Sequence, residues 1–314
     1  MFRPLVTIVA GLCLIGTLRA QINVKLSTAQ EQFLPSEELE LAVKISNFTG
    51  TPLRLGTHPQ WLTFTVEPSG SGGVVNKLAD VPDSGEFTLQ QATGGTLHFD
   101  LAPLFALDQP GSYRVTAVVT PVNDGPTFVS APLTFDIVNG VTLNEDQSFG
   151  FTRPDGTTEQ RRYLLQQANF QKHLSLYLRI TDASGSHTLK VVPLGGLVTF
   201  NPPQWVIDRQ SHLHVLHQFG AADCRYQHFD PDGKLITRQT WLVTNIRPQL
   251  RVNENGEAAV VGGARRSDRT DFPALTEAEL AAAREAQLQA MQQARQAASA
   301  STNAIPKDKK KQKN

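Results

Sequence analysis

A shift of 45 residues lays one part of this chain over another, and that internal repeat constrains the fold more than any other feature. Pro203-Gln204-Trp205-Val206-Ile207-Asp208 matches Pro248-Gln249-Leu250-Arg251-Val252-Asn253, and Leu213-His214-Val215-Leu216 matches Ala258-Ala259-Val260-Val261. Upstream the offset becomes 48 or 49, pairing Tyr177 to Gly185 with Tyr226 to Gly233. One unit reads as four strands, at 204–208, 212–218, 224–229 and 235–241. Tight turns at Arg209-Gln210-Ser211 and Asp230-Pro231-Asp232-Gly233 join them. Two such units predict a β-repeat domain over 145–265 that cannot close a ring of about four to eight blades alone. Either its two sheets face each other as a small sandwich, or several chains complete a ring.

Period-two alternation governs the first half as well. Ile22, Val24 and Leu26 share one face, as do Leu39, Leu41, Val43 and Ile45, and similar runs recur up to Leu133–Ile137. Breakers such as Thr49-Gly50-Thr51-Pro52 and Pro110-Gly111 separate about seven short strands, which predicts an antiparallel sandwich over 21–138. Trp61 and His58 flank Pro59 between two strands, and Trp61 reads first as core filler. Asn47-Phe48-Thr49 satisfies a glycosylation sequon.

Two resemblances follow from these residues. Gly111-Ser112-Tyr113 opening an alternating strand resembles the tyrosine corner of immunoglobulin-like and fibronectin-like modules found in exported bacterial proteins. Asp208, the Leu213-His214-Val215 strand and the Asp230-Pro231-Asp232-Gly233 turn resemble the blades of β-propellers built from sialidase-like repeats. The first resemblance implies a fold and no ligand. The second implies no enzyme, because a sialidase-type site draws its arginines and its Tyr/Glu pair from more blades than this chain supplies.

The amino terminus carries Arg3, an apolar run from Leu5 to Ile15 and small residues before Gln21, which predicts a signal peptide over 1–20 and export to the periplasm, cell surface or medium. Cys224 is then the only cysteine of the mature chain, so no intramolecular disulfide is expected. The balance of 29 basic and 29 acidic residues conceals an acidic body, because five lysines lie in the Lys307–Lys313 tail. A mildly acidic body argues against nucleic acid as a partner. Thr276-Glu277-Ala278-Glu279 is a capping box that predicts an exposed helix over 276–298, followed by a disordered basic tail at 299–314 able to touch an anionic surface. The fold class expected is therefore all-β: an immunoglobulin-like β-sandwich, a two-unit β-propeller-blade-like repeat domain, and a C-terminal helix with its tail.

Four of the eight histidines, among them His212, His214 and His228, crowd into one stretch with Cys224. Imidazole and thiolate are zinc and copper ligands, and His212 and His214 would point to one face of a strand about 7 Å apart. His217 has the opposite parity. Against a metal stands the sister unit, where Glu257 and Ala259 replace His212 and His214. Asp230 and Asp232 offer calcium too few carboxylates. Nucleophile elbow, Walker loop, His-Glu-x-x-His and CxxC patterns are missing from the sequence. The leading expectation is a non-enzymatic binding or scaffold protein of the cell envelope, with no cofactor and with a protein or envelope polymer as partner. The alternatives are a metal-binding protein or metal-dependent enzyme using His212 and His214 with a neighbouring His or Cys224, and an oligomeric propeller-like protein that binds glycans.

Overall fold

The computed structural model describes residues 22–70, 73–122, 125–143, 147–153, 155–170 and 173–273, with Glu285, Leu288 and Gln289 beyond them. The predicted signal peptide and basic tail lie outside the described residues. So does most of the predicted helix, of which Glu285, Leu288 and Gln289 are helical and exposed. No helix among the described residues is long and apolar enough to cross a membrane.

The chain is all-β. Its first half contains β1 (Ile22–Thr28), β2 (Gln32–Phe33), β3 (Glu40–Asn47), β4 (Leu53–Leu55), β5 (Leu62–Pro68), β6 (Phe87–Leu89), β7 (Thr93–Asp100), β8 (Gly111–Val119), β9 (Phe128–Val129) and β10 (Leu133–Ile137). The second half contains β11 (Val141–Thr142), β12 (Gln147–Thr152), β13 (Thr158–Phe170), β14 (His173–Asp182), β15 (Thr188–Gly196) and β16 (Gln204–Ile207). It ends with β17 (Leu213–Gln218), β18 (Asp223–Phe229), β19 (Leu235–Leu242), β20 (Gln249–Val252), β21 (Ala258–Val261) and β22 (Ala264–Arg266). Two compact units result. One comprises residues 22–29, 39–105 and 113–134, and the other comprises 30–38, 106–112 and the chain from 135 onwards.

In the first unit the alternation becomes burial directly. Ile22, Val24 and Leu26 of β1 are buried while the residues between them are exposed. The antiparallel register sets Val24 opposite Ile45 and Leu26 opposite Val43, so one face of the β1-β3-β7 sheet is continuous apolar surface. Phe64 of β5 meets Phe99 of β7 edge to face at 5.6 Å, which joins that face to the sheet containing β5 and β8. Tyr113 is buried where β8 begins. Trp61 is core, edge-on to Phe87 at 5.7 Å, and His58 Nε2 lies 2.8 Å from the Thr120 carbonyl.

The sequon asparagine has a structural task. Asn47 is fully buried, and its Nδ2 donates to the carbonyls of Thr51 at 2.9 Å and Leu89 at 3.1 Å. Its Oδ1 accepts from the Thr49 amide at 2.9 Å and the Thr49 hydroxyl at 2.6 Å. An amide committed in this way has no nitrogen to offer a glycan. Asn47→Ala is expected to cost about 2–3 kcal/mol, because several hydrogen bonds are lost and buried carbonyls are left unpaired. Urea unfolding measures it, and a loss under about 0.5 kcal/mol would refute this role.

The second unit is propeller-like in its connectivity, with two consecutive antiparallel meanders. One sheet has the order β11-β13-β14-β15 with β12 also on β13, and the other has the order β16-β17-β18-β19-β22. The strands expected at 204–208, 212–218, 224–229 and 235–241 are β16 to β19, with bounds agreeing to within one residue. The 45-residue repeat is structural: β16 and β17 pair Gln204 with Leu216, and β20 and β21 pair Gln249 with Val261 in the same register. The copy stops at that hairpin, however. β22 joins β19, so the second copy is a two-stranded cover and not a second four-stranded blade. The 48-residue match belongs instead to β14 and β18, which places a fuller relative of the unit upstream, in β12 to β15.

The turns repeat as well. Ser211, Gly233 and Gly256 carry positive φ angles of 65°, 75° and 79° at equivalent positions, the left-handed residue that closes a three-residue hairpin loop. Both faces of β17 are covered, since all six of its residues are buried. Leu213 and Val215 join Phe149, Tyr163, Leu165, Leu178 and Phe229 in the core between the meanders. On the opposite face Leu216, Cys224 and Tyr226 pack under Leu250 and Val260 of the copied hairpin. Each large side chain buried this way contributes about 1.5–3 kcal/mol.

Candidate metal centre

The centre begins with the turn between β16 and β17. Asp208 Oδ1 accepts from the amides of Gln210 and His212, both at 2.9 Å, which locks the hairpin and leaves Oδ2 pointing along the strand face. The sister turn shows that this half of the arrangement is local chemistry, because Asn253 Oδ1 accepts from the Glu257 amide at 2.8 Å in the same way.

Strand parity and register supply the imidazoles. His212 and His214 share a face, and His214 sits directly opposite His228 on β18. The His214 and His228 rings stack at 4.1 Å with 14° between their planes. His212 Nδ1 lies 3.1 Å from His228 Nε2 and 3.7 Å from Asp208 Oδ2. Asp208, His212 and His228 each bring one ligand atom into a group whose atoms all lie within 4.8 Å of one another, and all three side chains are half-buried.

His214 behaves differently from the reading that paired it with His212. Both of its nitrogens are occupied: Nδ1 lies 2.8 Å from the Tyr226 hydroxyl and Nε2 lies 3.1 Å from Asp208 Oδ2. With one proton on the neutral ring, Nε2–H donates to the carboxylate and Nδ1 accepts from Tyr226. His214 therefore orients Asp208 and is no ligand itself, the arrangement that ligating carboxylates require of their supports.

Cys224 does not belong to the group. It sits opposite Gln218, four residues along β18 from His228 and so about 13 Å away. It is buried with Leu216 and Tyr226, and burial pushes its thiol up, away from the thiolate that binds metal. His217 faces the other way, into the core between the meanders, as its parity required. Asp230 and Asp232 are spent on structure: Asp230 Oδ1 accepts from the Asp232 and Lys234 amides, and Asp232 pairs with Arg161 at 2.7 Å.

Electrostatics keep His228 and Asp208 in ligand form. Burial, aided by the neighbouring His214 and His212, pushes His228 down to about 4, so its imidazole is neutral at physiological pH. Burial also lowers His214, against the pull of Asp208. Burial opposes ionisation of Asp208, and the hydrogen bonds from His214 and the His212 amide outweigh it, so its carboxyl falls below the usual range.

Two imidazole nitrogens bound to one zinc at about 2.0–2.1 Å in tetrahedral geometry stand about 3.3 Å apart. The observed 3.1 Å between His212 and His228 also suits an N–H···N hydrogen bond, so a metal would replace the shared proton without moving either strand. A cleft of 510 Å3, where residues 150–152, 209–212 and 231–232 meet, opens onto His212 and gives the group access to solvent. Asp208 was visible in the sequence only as a blade residue. The signal for its role is its position four residues before His212, across a tight turn.

No protein-family model matches this chain, and no curated protein matches it closely enough to count as a relative.

Proposed function

We propose that the chain is an exported binding protein whose second unit holds a divalent transition metal between Asp208, His212 and His228. The observation that carries the reading is the convergence of one carboxylate and two imidazoles within 4.8 Å, with the carboxylate held by His214. A mixed nitrogen and oxygen set of three protein ligands suits zinc, with a fourth position left for water or a partner's group. The role proposed is binding and not turnover.

We read the first unit as an immunoglobulin-like module, supported by the antiparallel β1-β3-β7 sheet facing the antiparallel β5-β8 pair and by Tyr113 at the head of β8. We read the second unit as blades of the sialidase-like type, supported by the repeated Asp-turn hairpin. Export follows from the apolar segment before residue 21, and an envelope polymer or protein is the partner we expect.

The test is titration of chelator-treated full-length protein with zinc chloride, followed by metal analysis after gel filtration. One zinc per chain is expected, and no retained zinc would end the proposal. Tyr226→Phe tests the supporting layer, since it removes the hydroxyl 2.8 Å from His214 Nδ1. A tenfold to hundredfold weaker zinc affinity is expected, on the order of what such outer contacts contribute. Unchanged affinity would show that His214 does not position Asp208.

A further inference from the structure

The first meander carries a polar cavity on the face of its sheet that looks away from the shared core. Leu34, Ala168, Tyr177 and Val191 form an apolar cluster on that face. Register puts Gln166 opposite Tyr177 and Leu164 opposite Arg179, so Gln166 and Arg179 are diagonal neighbours on the same face, about 7–8 Å apart at their Cβ atoms. Both line a cavity of 590 Å3, together with Asp108, Gly140 and the Ser186-His187-Thr188 turn. That volume lies within the range of small-molecule sites.

On two of its lining residues, a buried polar atom lacks a partner among the described residues. Gln166 is 8% exposed, its Nε2 donates to Thr142 Oγ1 at 3.3 Å, and its Oε1 has no donor. Arg179 donates from Nη2 to the Pro35 carbonyl at 3.1 Å, its Nε is unpaired, and no carboxylate among the described residues bridges it. Burial lowers its pKa and no neighbouring charge raises it, as expected of a partly desolvated guanidinium without a counter-charge. Gly140 keeps the space beside the glutamine open, since a Cβ there would lie 3.2 Å from Gln166 Oε1.

An unpaired cationic donor and an unpaired neutral acceptor in one cavity call for a ligand bearing the opposite pair. We propose that this cavity binds a small α-hydroxy or α-amino carboxylate, with its carboxylate on Arg179 and its hydroxyl or ammonium donating to Gln166 Oε1. The site is separate from the metal centre and stands without it.

Three probes of nearly equal size test the proposal by calorimetry on the full chain: L-lactate, L-alanine and propionate. Saturable binding of L-lactate or L-alanine is expected, with a Kd of about 1 mM or tighter and with propionate at least about tenfold weaker. Gln166→Leu removes an orphaned acceptor and should leave the melting temperature close to that of the wild type. In that variant the advantage over propionate is expected to vanish, while Arg179→Gln should weaken every probe about tenfold or more. Absence of saturable binding by lactate and alanine, equal affinity for propionate, or undiminished binding by Arg179→Gln would overturn the proposal.

Discussion

His228→Ala is expected to weaken zinc binding at least about a hundredfold, because it takes one of two imidazoles from a three-ligand centre and leaves Asp208 and His212 alone. Folding should survive the change. His228 is kept neutral by burial, so alanine removes a desolvated ring and leaves no buried charge behind. The expected signature is a protein with wild-type circular dichroism whose melting temperature no longer responds to zinc. Wild-type protein with zinc at about 100 times Kd should gain about 2.7 kcal/mol. A zinc-induced shift of the same size in both proteins would place the metal elsewhere. Cys224→Ser makes the matching control, with unchanged zinc affinity expected, since its thiol lies with Leu216 and Tyr226 and far from the imidazoles.

The second large effect concerns acid stability and rests on His217. Its ring is 1% exposed, neither nitrogen has a partner among the described residues, and burial beside Arg225 pushes it down to about 3. The unfolded chain, with an ordinary histidine near 6.5, takes up the proton as pH falls while the folded chain does not. Stability from this residue is therefore intact above about pH 6.5, declines as pH drops, and reaches its full loss near pH 3. At pH 5 the loss is about 2 kcal/mol, and at the acid limit it is on the order of 4–5 kcal/mol. His217→Leu should remove that dependence and, by deleting two unpaired polar atoms from the core, add about 1–3 kcal/mol at pH 7. Urea unfolding at pH 7 and pH 5 measures both. A variant as acid-sensitive as the wild type would show that other groups govern the acid limb.

Much of the second unit was legible in the sequence because repeats and tight turns are local. The matched residues at an offset of 45 predicted a hairpin whose register the structure reproduces from Gln204 and Leu216 to Gln249 and Val261. The copy extends less far than the two full units expected, ending at the β20-β21 hairpin. Strand β22 finds its partner in β19, a long-range pairing that no local pattern announces. The limits of the units were hidden for a similar reason: residues 30–38 and 106–112 gather with the later unit although they lie between strands of the first.

The candidate site divides along the same line. Parity along one strand put His212 and His214 on one face and His217 on the other, and all three lie so. Parity says nothing of register, which brings His228 beside His212 and leaves Cys224 opposite Gln218. Nor does it reveal that His214 is already taken by Tyr226 and Asp208. The sequon at Asn47 falls on a buried side chain, since three residues of sequence carry no information about burial.

The most direct test of the central claim is the X-ray absorption spectrum at the zinc edge of the full chain loaded with one equivalent. Two imidazoles and a carboxylate predict a shell of nitrogen and oxygen at about 2.0–2.1 Å with imidazole scattering beyond it and no sulfur. A scatterer at about 2.3 Å would place the metal on a cysteine sulfur and contradict the centre described here.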